Sequence, residues 1–443
     1  MDPNLLHDVV RQALAAGADA AEAVGAERSA LSVSVRLGAL EEVEREESRD
    51  LGLRVFVGQR QAVVSGSDIS AAARAKLVER AVAMARIAPE DRYAGLAPQD
   101  RLAQGPLPEL DLYDPSERSP EALETVARES EEAARAVPGV ANSEGGFASW
   151  STSAWSFVTS HGFEGRHRGS AFSLSASVIA GEGAAMERGG EGRSARHLSD
   201  LPTAQEIGVE AGKRAVARLS PRRLDSRTAP VIFENKIATS LLSPFVGAIS
   251  GTGVARGVSF LKDKLDKPVF APGITLRDDP HRLRGMGSSP FDDEGVATVA
   301  RELISDGRLT TWLLNSASAR QLGLETTGHA SRGLASPPGV STHNLTLDAG
   351  PESLESMMKG AGSGLLITSM FGPSLNANNG DWSAGVSGFW FEDGEIAYPV
   401  NEITVAANLI EVYARLVPAS DLELRRSSNS PSLLVDGLAI AGR

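Results

Sequence analysis

Gly388-Phe389-Trp390-Phe391-Glu392-Asp393-Gly394-Glu395-Ile396-Ala397-Tyr398-Pro399-Val400 sets the reading of the second half of the chain. Asp-Gly favours a two-residue turn, because both central positions of a type I′ turn need positive φ. Aromatic and β-branched residues flank it, so the stretch predicts an antiparallel hairpin from Trp390 to Pro399. Outward from there, strands and hairpins dominate from Gly253 to the end. Short helices interrupt them near 315–322, 351–359 and 406–416. A buried strand, Pro230 to Phe233, and a helix at about 235–250 come just before.

Further upstream, Ser220-Pro221-Arg222-Arg223 marks a boundary. Before it lie an amphipathic helix at 3–16, begun by Asp2 and Pro3, and a strand with Leu31, Val33 and Val35 alternating inward. The run Glu41 to Glu47 is expected to continue that strand as a solvated face. Leu51 to Val57 and Gln61 to Ser65 predict a hairpin around Gly58. A helix at 69–87 is expected to be capped by Asp68 and stopped by Pro89. After a proline-rich connection come a helix at 120–136, a β region from Val140 to His197 and a helix at 203–219. The pattern predicts an α+β fold of two main lobes split near residue 223. The sheets are mostly antiparallel with flanking helices, and the C-terminal lobe is β-rich.

The composition narrows the function classes. With 443 residues the chain has room for two or three domains. Its net charge of −13 repels phosphate backbones, so nucleic-acid binding is not expected. The basic run of Lys213, Arg214, Arg218, Arg222 and Arg223 reads as a solvated helix face. The absence of cysteine excludes disulfides, thiolate metal sites and a cysteine nucleophile. The start of the chain does not read as a signal peptide, and no stretch suits a membrane span; the expected location is cytoplasmic.

Chemical motifs are sparse. There is no HExxH or HExxxH zinc helix, no G-x-S-x-G elbow and no P-loop. His161 and His167 flank Glu164 at a spacing that fits neither a helix turn nor a strand alternation, so they read as surface residues. Ser387 reads as a strand residue. Asp292-Asp293-Glu294 reads as an acidic turn, with a metal or substrate-amine contact as the other reading.

Several blocks together resemble the TldD/PmbA family. They are Asp50-Leu51-Gly52-Leu53-Arg54-Val55-Phe56-Val57-Gly58, Ser65-Gly66-Ser67-Asp68, Phe291-Asp292-Asp293-Glu294-Gly295, Thr326-Thr327-Gly328-His329-Ala330 and the hairpin block at 388–400. The resemblance implies an N-terminal α/β domain over 1–110, a central α+β segment over 111–222 and a C-terminal β-rich domain over 223–443. In this family the TldD branch resembles a zinc peptidase with an HExxxH helix and a late cysteine ligand. The TldE/PmbA branch shares the fold without that site. Matched to the HEAVGH segment of TldD, Ser243 stands at the first histidine, Pro244 at the glutamate and Ala248 at the second histidine. None of the three can bind zinc or activate water.

The resemblance implies a non-catalytic subunit that binds no metal itself. It would close a chamber around unfolded peptides, with zinc on a TldD-like partner subunit. Self-association is expected when the chain is isolated. Asn376, Asn378 and Asn379, in the loop from Leu375 to Trp382, and His329 are candidate substrate-binding residues; a surface turn is the other reading of the loop. The family has also been described as a modulator of DNA gyrase. The remaining alternatives are a stand-alone peptide-binding or modulator protein, and a hydrolase with a non-zinc site.

Overall fold

A computed structural model describes residues 1–442, the side chain of Ala184 excepted. The N-terminal lobe contains, in chain order, α1 (Pro3–Ala15), β1 (Ala20–Arg36), β2 (Ala39–Val57), β3 (Arg60–Gly66), α2 (Ala71–Ile87), α3 (Pro120–Arg135), β4 (Val140–Thr159), β5 (Glu164–Ala180), β6 (Glu187–Ala195) and α4 (Ala204–Ala217). Its six strands form one antiparallel sheet in the order β3-β2-β1-β4-β5-β6. The helices cover one face. α1 and α2 pack Leu6, Val9, Leu77 and Val82 against Leu51, Leu53 and Val55. α3 and α4 pack Leu123, Ala127, Ile207 and Ala211 against Phe172, Leu174 and Val178.

Two local expectations differ. The run Glu41 to Glu47 does not extend the Leu31–Val35 strand but returns on β2, after a turn at Leu37-Gly38 with φ of 52° and 76°. The buried Glu131 of α3 creates that turn: its carboxylate accepts from Leu37 N (2.7 Å) and Gly38 N (2.9 Å). The cap of α2 is Ser70, which accepts from Ala73 N at 3.3 Å. Asp68 instead accepts from Ser70 N, one step upstream of the helix.

The C-terminal lobe continues with β7 (Arg227–Phe233), α5 (Asn235–Ala248), α6 (Gly251–Ala255), β8 (Leu276–Asp278), β9 (Arg301–Ser305), β10 (Arg308–Leu309), α7 (Ser316–Leu322), β11 (Ala330–Ser331), β12 (Gly339–Val340), β13 (Leu345–Leu347) and α8 (Leu354–Ala361). It ends with β14 (Gly364–Leu375), β15 (Asp381–Glu392), β16 (Glu395–Asn408), α9 (Leu409–Arg415), β17 (Val417–Pro418), β18 (Ser428–Asn429) and β19 (Leu433–Ala441). One sheet runs β16-β15-β14-β7-β19-β17, and β16 also pairs with β19. Strands β7, β14, β15, β16 and β19 therefore close into a ring, antiparallel throughout except for β7 beside β14. A second sheet runs β10-β9-β8-β13-β18. The predicted hairpin is the β15–β16 connection, with Asp393 and Gly394 at positive φ. Trp382 is buried in the core shared by the ring and α5. No helix among the described residues is long and apolar enough to cross a membrane.

The open face of the N-terminal sheet meets the C-terminal lobe through two of the quoted blocks. Residues 51–56 are buried on both faces of β2. Leu51, Leu53 and Val55 turn toward α1 and α2, while Gly52 and Arg54 turn toward the other lobe. A Cβ at Gly52 would lie 2.8 Å from the carbonyl oxygen of Leu334, so only glycine permits that approach. Arg54 and Glu22 are each 1% exposed and pair at 3.1 Å. Arg332 of the C-terminal lobe reaches the same Glu22 oxygen. Glu294 lies 4.0 Å from Arg54 and accepts from Ser316 N at 2.7 Å. Beside this cluster, Phe291 packs edge-on against Phe163, ring centroids 5.3 Å apart.

The acidic turn at 292–294 is thus not solvated, and it meets arginine and main-chain N–H groups. Asp292 accepts from Glu294 N, Val296 N and Ala330 N, which fold the turn around its carboxylate. Burial, and after it the charge of Glu294, raises the Asp292 carboxyl well above the usual carboxylate range. Burial also pushes Asp293 up to about 6, although Arg332 opposes it.

Removing one member of a buried ion cluster strands the charges left behind, at a cost of about 3–5 kcal/mol. Glu22→Gln is expected to lower stability by about that much in urea denaturation, whereas the exposed Glu109→Gln should change it by less than about 0.5 kcal/mol. A loss below about 1 kcal/mol for Glu22→Gln would contradict this account of the lobe contact. Asp293 holds its proton more tightly folded than unfolded. Its contribution is therefore complete below its unfolded value and lost as pH rises through about 6. Asp293→Asn should gain on the parent protein by about 2–3 kcal/mol between pH 4 and pH 8. A difference that stays constant across that range would refute it.

Candidate functional site

Between the lobes lies a groove of about 780 Å³. One wall is the open face of β5 and β6, where Ser173, Ser175 and Ser177 stand opposite Ser194, Gly192 and Gly190. The other wall is the segment 425–430, which includes β18. The start of α5, with Asn235, Lys236 and Thr239, closes one side. Both β6 and β18 end their sheets, so two sheet edges border the same space.

The lining is basic, in contrast to the whole chain. Arg188, Arg193, Arg214, Arg218, Lys236, Arg425 and Arg426 face two glutamates, Glu191 and Glu423. Pairing holds most of the cations in place: Arg193 with Glu423 at 2.9 Å, Arg425 with Glu191 at 3.3 Å, Arg214 with Glu234 at 2.6 Å and Lys236 with Glu210 at 3.1 Å. Arg214 and Arg218 are therefore not the solvated helix face that their spacing suggests. They point from α4 into the space between the lobes, while Arg222 stacks over the Tyr398 ring at 4.7 Å.

The helix α5 carries the three positions matched to the zinc motif. Ser243 is exposed, Pro244 half-buried and Ala248 buried. Pro244 sits inside the helix, where its missing N–H leaves the carbonyl of Ser240 without its intrahelical donor. The opposite face, with Leu241, Leu242 and Phe245, is held in the core, so the helix persists despite the proline. No His, Cys, Asp or Glu occurs between Asn235 and Ala248. The donors a zinc ion requires are missing from this helix, and it does not fit the metal. Ser243 lies one helical turn beyond Thr239 on the same side, so the groove leads onto this exposed face.

Asn376, Asn378 and Asn379 form the tip of the β14–β15 hairpin and are exposed. They are largely engaged with their own turn. Asn376 Oδ1 accepts from Asn378 N at 3.1 Å, and Asn379 Nδ2 donates to Asp381 at 2.7 Å. None of them lines the groove.

His329 is placed elsewhere, buried in a cluster with Asp278 and His343. Asp278 Oδ2 accepts from His329 Nε2 at 3.1 Å and from His343 Nδ1 at 2.9 Å, and Asp278 Oδ1 accepts from His343 N at 2.8 Å. Thr327 bonds the remaining nitrogen of His329 at 2.8 Å. Burial disfavours the Asp278 anion, but the two histidine hydrogen bonds outweigh it and hold the carboxyl below its usual range. Among the described residues this is the one set of three such side chains with ligand atoms within 4.8 Å of one another. Thr327 and Asp278 engage both ring nitrogens of His329, His343 bonds Asp278 through Nδ1, and none of the three residues lines the groove. The cluster ties β8 to the segments that precede β11 and β13. No sequence motif announced it, since Asp278, His329 and His343 are far apart in the chain.

His167 packs against the Phe291 ring, with centroids 5.6 Å apart. Burial, reinforced by Arg196, pushes its imidazole down to about 4. It is therefore a neutral packing residue at the lobe contact instead of a surface histidine. His161 bonds Thr159 and the carbonyl of Ala97.

Comparison with known proteins agrees with this architecture. Sequence models of the PmbA/TldA metallopeptidases match in order: domain 1 over residues 21–85, the central domain over 113–219 and the C-terminal domain over 226–442. Metalloprotease PmbA of Escherichia coli O157:H7 is 40% identical over 99% of this chain and 96% of its own length. A crystal structure from Bacteroides thetaiotaomicron, described as a modulator of DNA gyrase, superposes with a TM-score of 0.92 at 26% identity, covering 100% of this chain and 99% of that one. TldE from Thermococcus kodakarensis shares the fold, with a TM-score of 0.86 at 21% identity over 99% of this chain and 100% of that one. By sequence along nearly its whole length and by fold, the chain belongs to the PmbA/TldA metallopeptidase family.

Proposed function

We propose that this chain is the non-catalytic subunit of a two-chain cytoplasmic zinc peptidase, and that it holds unfolded peptide while a TldD-like partner supplies the metal. The observation that carries the reading is α5. In the family's zinc branch the corresponding helix supplies the ligands and the general base. Here it presents Ser243, Pro244 and Ala248, none of which has a suitable donor. Four absences coincide, counting the cysteine that the whole sequence lacks.

The groove supports a holding role. It borders the exposed face of α5 and offers main-chain edges on β6 and β18, the kind of surface to which an extended peptide adds as a strand. A docking surface for the partner is available on β14. Beyond Ile367 this strand pairs only with β15, and it exposes Phe371 (54%) and Leu375 (38%) on its free length. Exposed apolar side chains beside an unpaired edge suit a protein contact.

The test mixes this chain with its TldD-like homologue and follows cleavage of an unstructured peptide together with complex formation. The expected result is a stable complex that cleaves at least tenfold faster than either chain alone, with activity abolished by a chelator. Full activity from the homologue alone, with no complex detected, would overturn the proposal. Phe371→Asp should weaken the complex at least tenfold without changing the unfolding midpoint of the isolated chain by more than a few degrees.

A further inference from the structure

We propose that the inter-lobe groove selects extended peptide segments rich in acidic side chains, with the ligand's main chain lying along the outer edge of β6. This rests on the reading of the chain as a peptide-holding subunit, and it names the peptide class.

Three observations carry it. The first is charge. A chain with net charge −13 concentrates cations at this one concave surface. Most of them are paired, but Arg218 and Arg426 have no carboxylate within 4 Å among the described residues. Arg218 spends its donors on the carbonyl of Arg188 (3.0 Å) and the hydroxyl of Thr368 (3.5 Å), both neutral. Burial, and then the neighbouring Arg214, holds its pKa below the usual arginine value, with the more distant Glu187 and Glu234 pulling the other way. Arg426 is exposed at the other wall. An incoming carboxylate supplies what both lack, and guanidinium groups receive carboxylates in paired hydrogen bonds.

The second observation is the edge. β6 pairs only with β5, and among the described residues no main-chain hydrogen bond to the other lobe covers its outer side, although the Arg218 side chain bonds the carbonyl of Arg188. The third is room for a backbone. The atoms nearest a Cβ built at Gly190 or Gly192 belong to β5, such as Ala176 O at 3.3 Å and Ser175 Cβ at 3.0 Å. Both glycines line the groove. Small serine and glycine residues on this face let a ligand main chain come close, and they leave the arginines to read its side chains.

A polyphosphate is the less suitable occupant. Glu191 and Glu423 stand inside the groove and would oppose a continuous line of phosphates, whereas a peptide can place neutral residues opposite them. The acidic surface outside also repels a long polyanion.

The test uses the full chain alone and fluorescently labelled ten-residue peptides in fluorescence anisotropy. One peptide has alternating Glu and Ser, a second has Gln for every Glu, and a third has Lys. Labelled oligothymidine of similar length serves as the polyphosphate. The expected order is acidic peptide at least tenfold tighter than the Gln peptide, with no saturable binding of the Lys peptide. Raising the salt from 50 to 300 mM should weaken the acidic peptide several-fold. The double variant Arg218→Gln, Arg426→Gln should lose at least tenfold for the acidic peptide only, and its melting temperature shows whether the fold survives. Arg426→Glu, an exposed substitution, is a second variant should the double one fail to fold, and it should also lose at least tenfold. Arg11→Gln on α1, which removes one exposed cation elsewhere, should change nothing.

Equal affinity for the acidic and Gln peptides would overturn the proposal. So would oligothymidine binding more tightly than the acidic peptide with the same dependence on Arg218 and Arg426. The outcome is separate from that of the subunit assay. A complex that cleaves peptides without any acidic preference sinks this inference alone. Acidic-peptide binding by a chain that never joins a homologue sinks only the subunit reading.

Discussion

Glu22 is shared by two arginines in a place that water barely reaches, one arginine from each lobe. Taking three charges out of water costs several kcal/mol per ion, and only close geometry returns it. The arrangement therefore tolerates little relative movement of the lobes. Gly52 allows the backbone of Leu334 to come close enough, and the turn at 292–294 brings Glu294 toward Arg54. The apolar contact of Phe163 with Phe291 would hold the lobes together without fixing their angle. The ionic cluster adds direction, because arginine and carboxylate bond well only along particular lines.

The groove follows from that constraint. Its two walls belong to different lobes, so its width is set by the contact at Glu22 and not by either lobe alone. The helix α5 spans both roles. Its buried face anchors it in the C-terminal core, its first turn lines the groove, and its exposed face carries Ser243, the position matched in sequence to the first histidine of the zinc motif. One fold can carry different functions, since function resides in the site and not in the scaffold.

Much of the architecture was legible because local chemistry dictates it. The Asp393-Gly394 turn, the Ser119-Pro120 start of α3 and the inward alternation of β1 each follow from a few neighbouring residues. The Leu37-Gly38 turn was not legible, because leucine has no preference for positive φ. A carboxylate about ninety positions away holds it, and no window of sequence contains that partner. The same reason hid the nature of Asp292, Asp293 and Glu294. Three consecutive acids look solvent-seeking until Arg54 and Arg332 are brought beside them by the fold. Ser243, Pro244 and Ala248 were readable only against the family motif, as absences. The groove was invisible, since its cations come from β6, α4, α5 and the segment near 425. The helical spacing of Arg214 and Arg218 was correct, but which way their face turned depended on the other lobe.

The ring of strands in the C-terminal lobe imposes an order on the birth of the molecule. β7 begins at Arg227, yet its antiparallel neighbour β19 starts only at Leu433, and β16 waits for the same final strand. The N-terminal sheet has all its strands by Ala195 and its last covering helix by Ala217. During synthesis the first lobe can consolidate while the second is still emerging, whereas the ring stays open until β19 has left the ribosome. In that interval Glu22 and Arg54 already face each other in the finished sheet, and their pairing is completed only once Arg332 of the second lobe arrives.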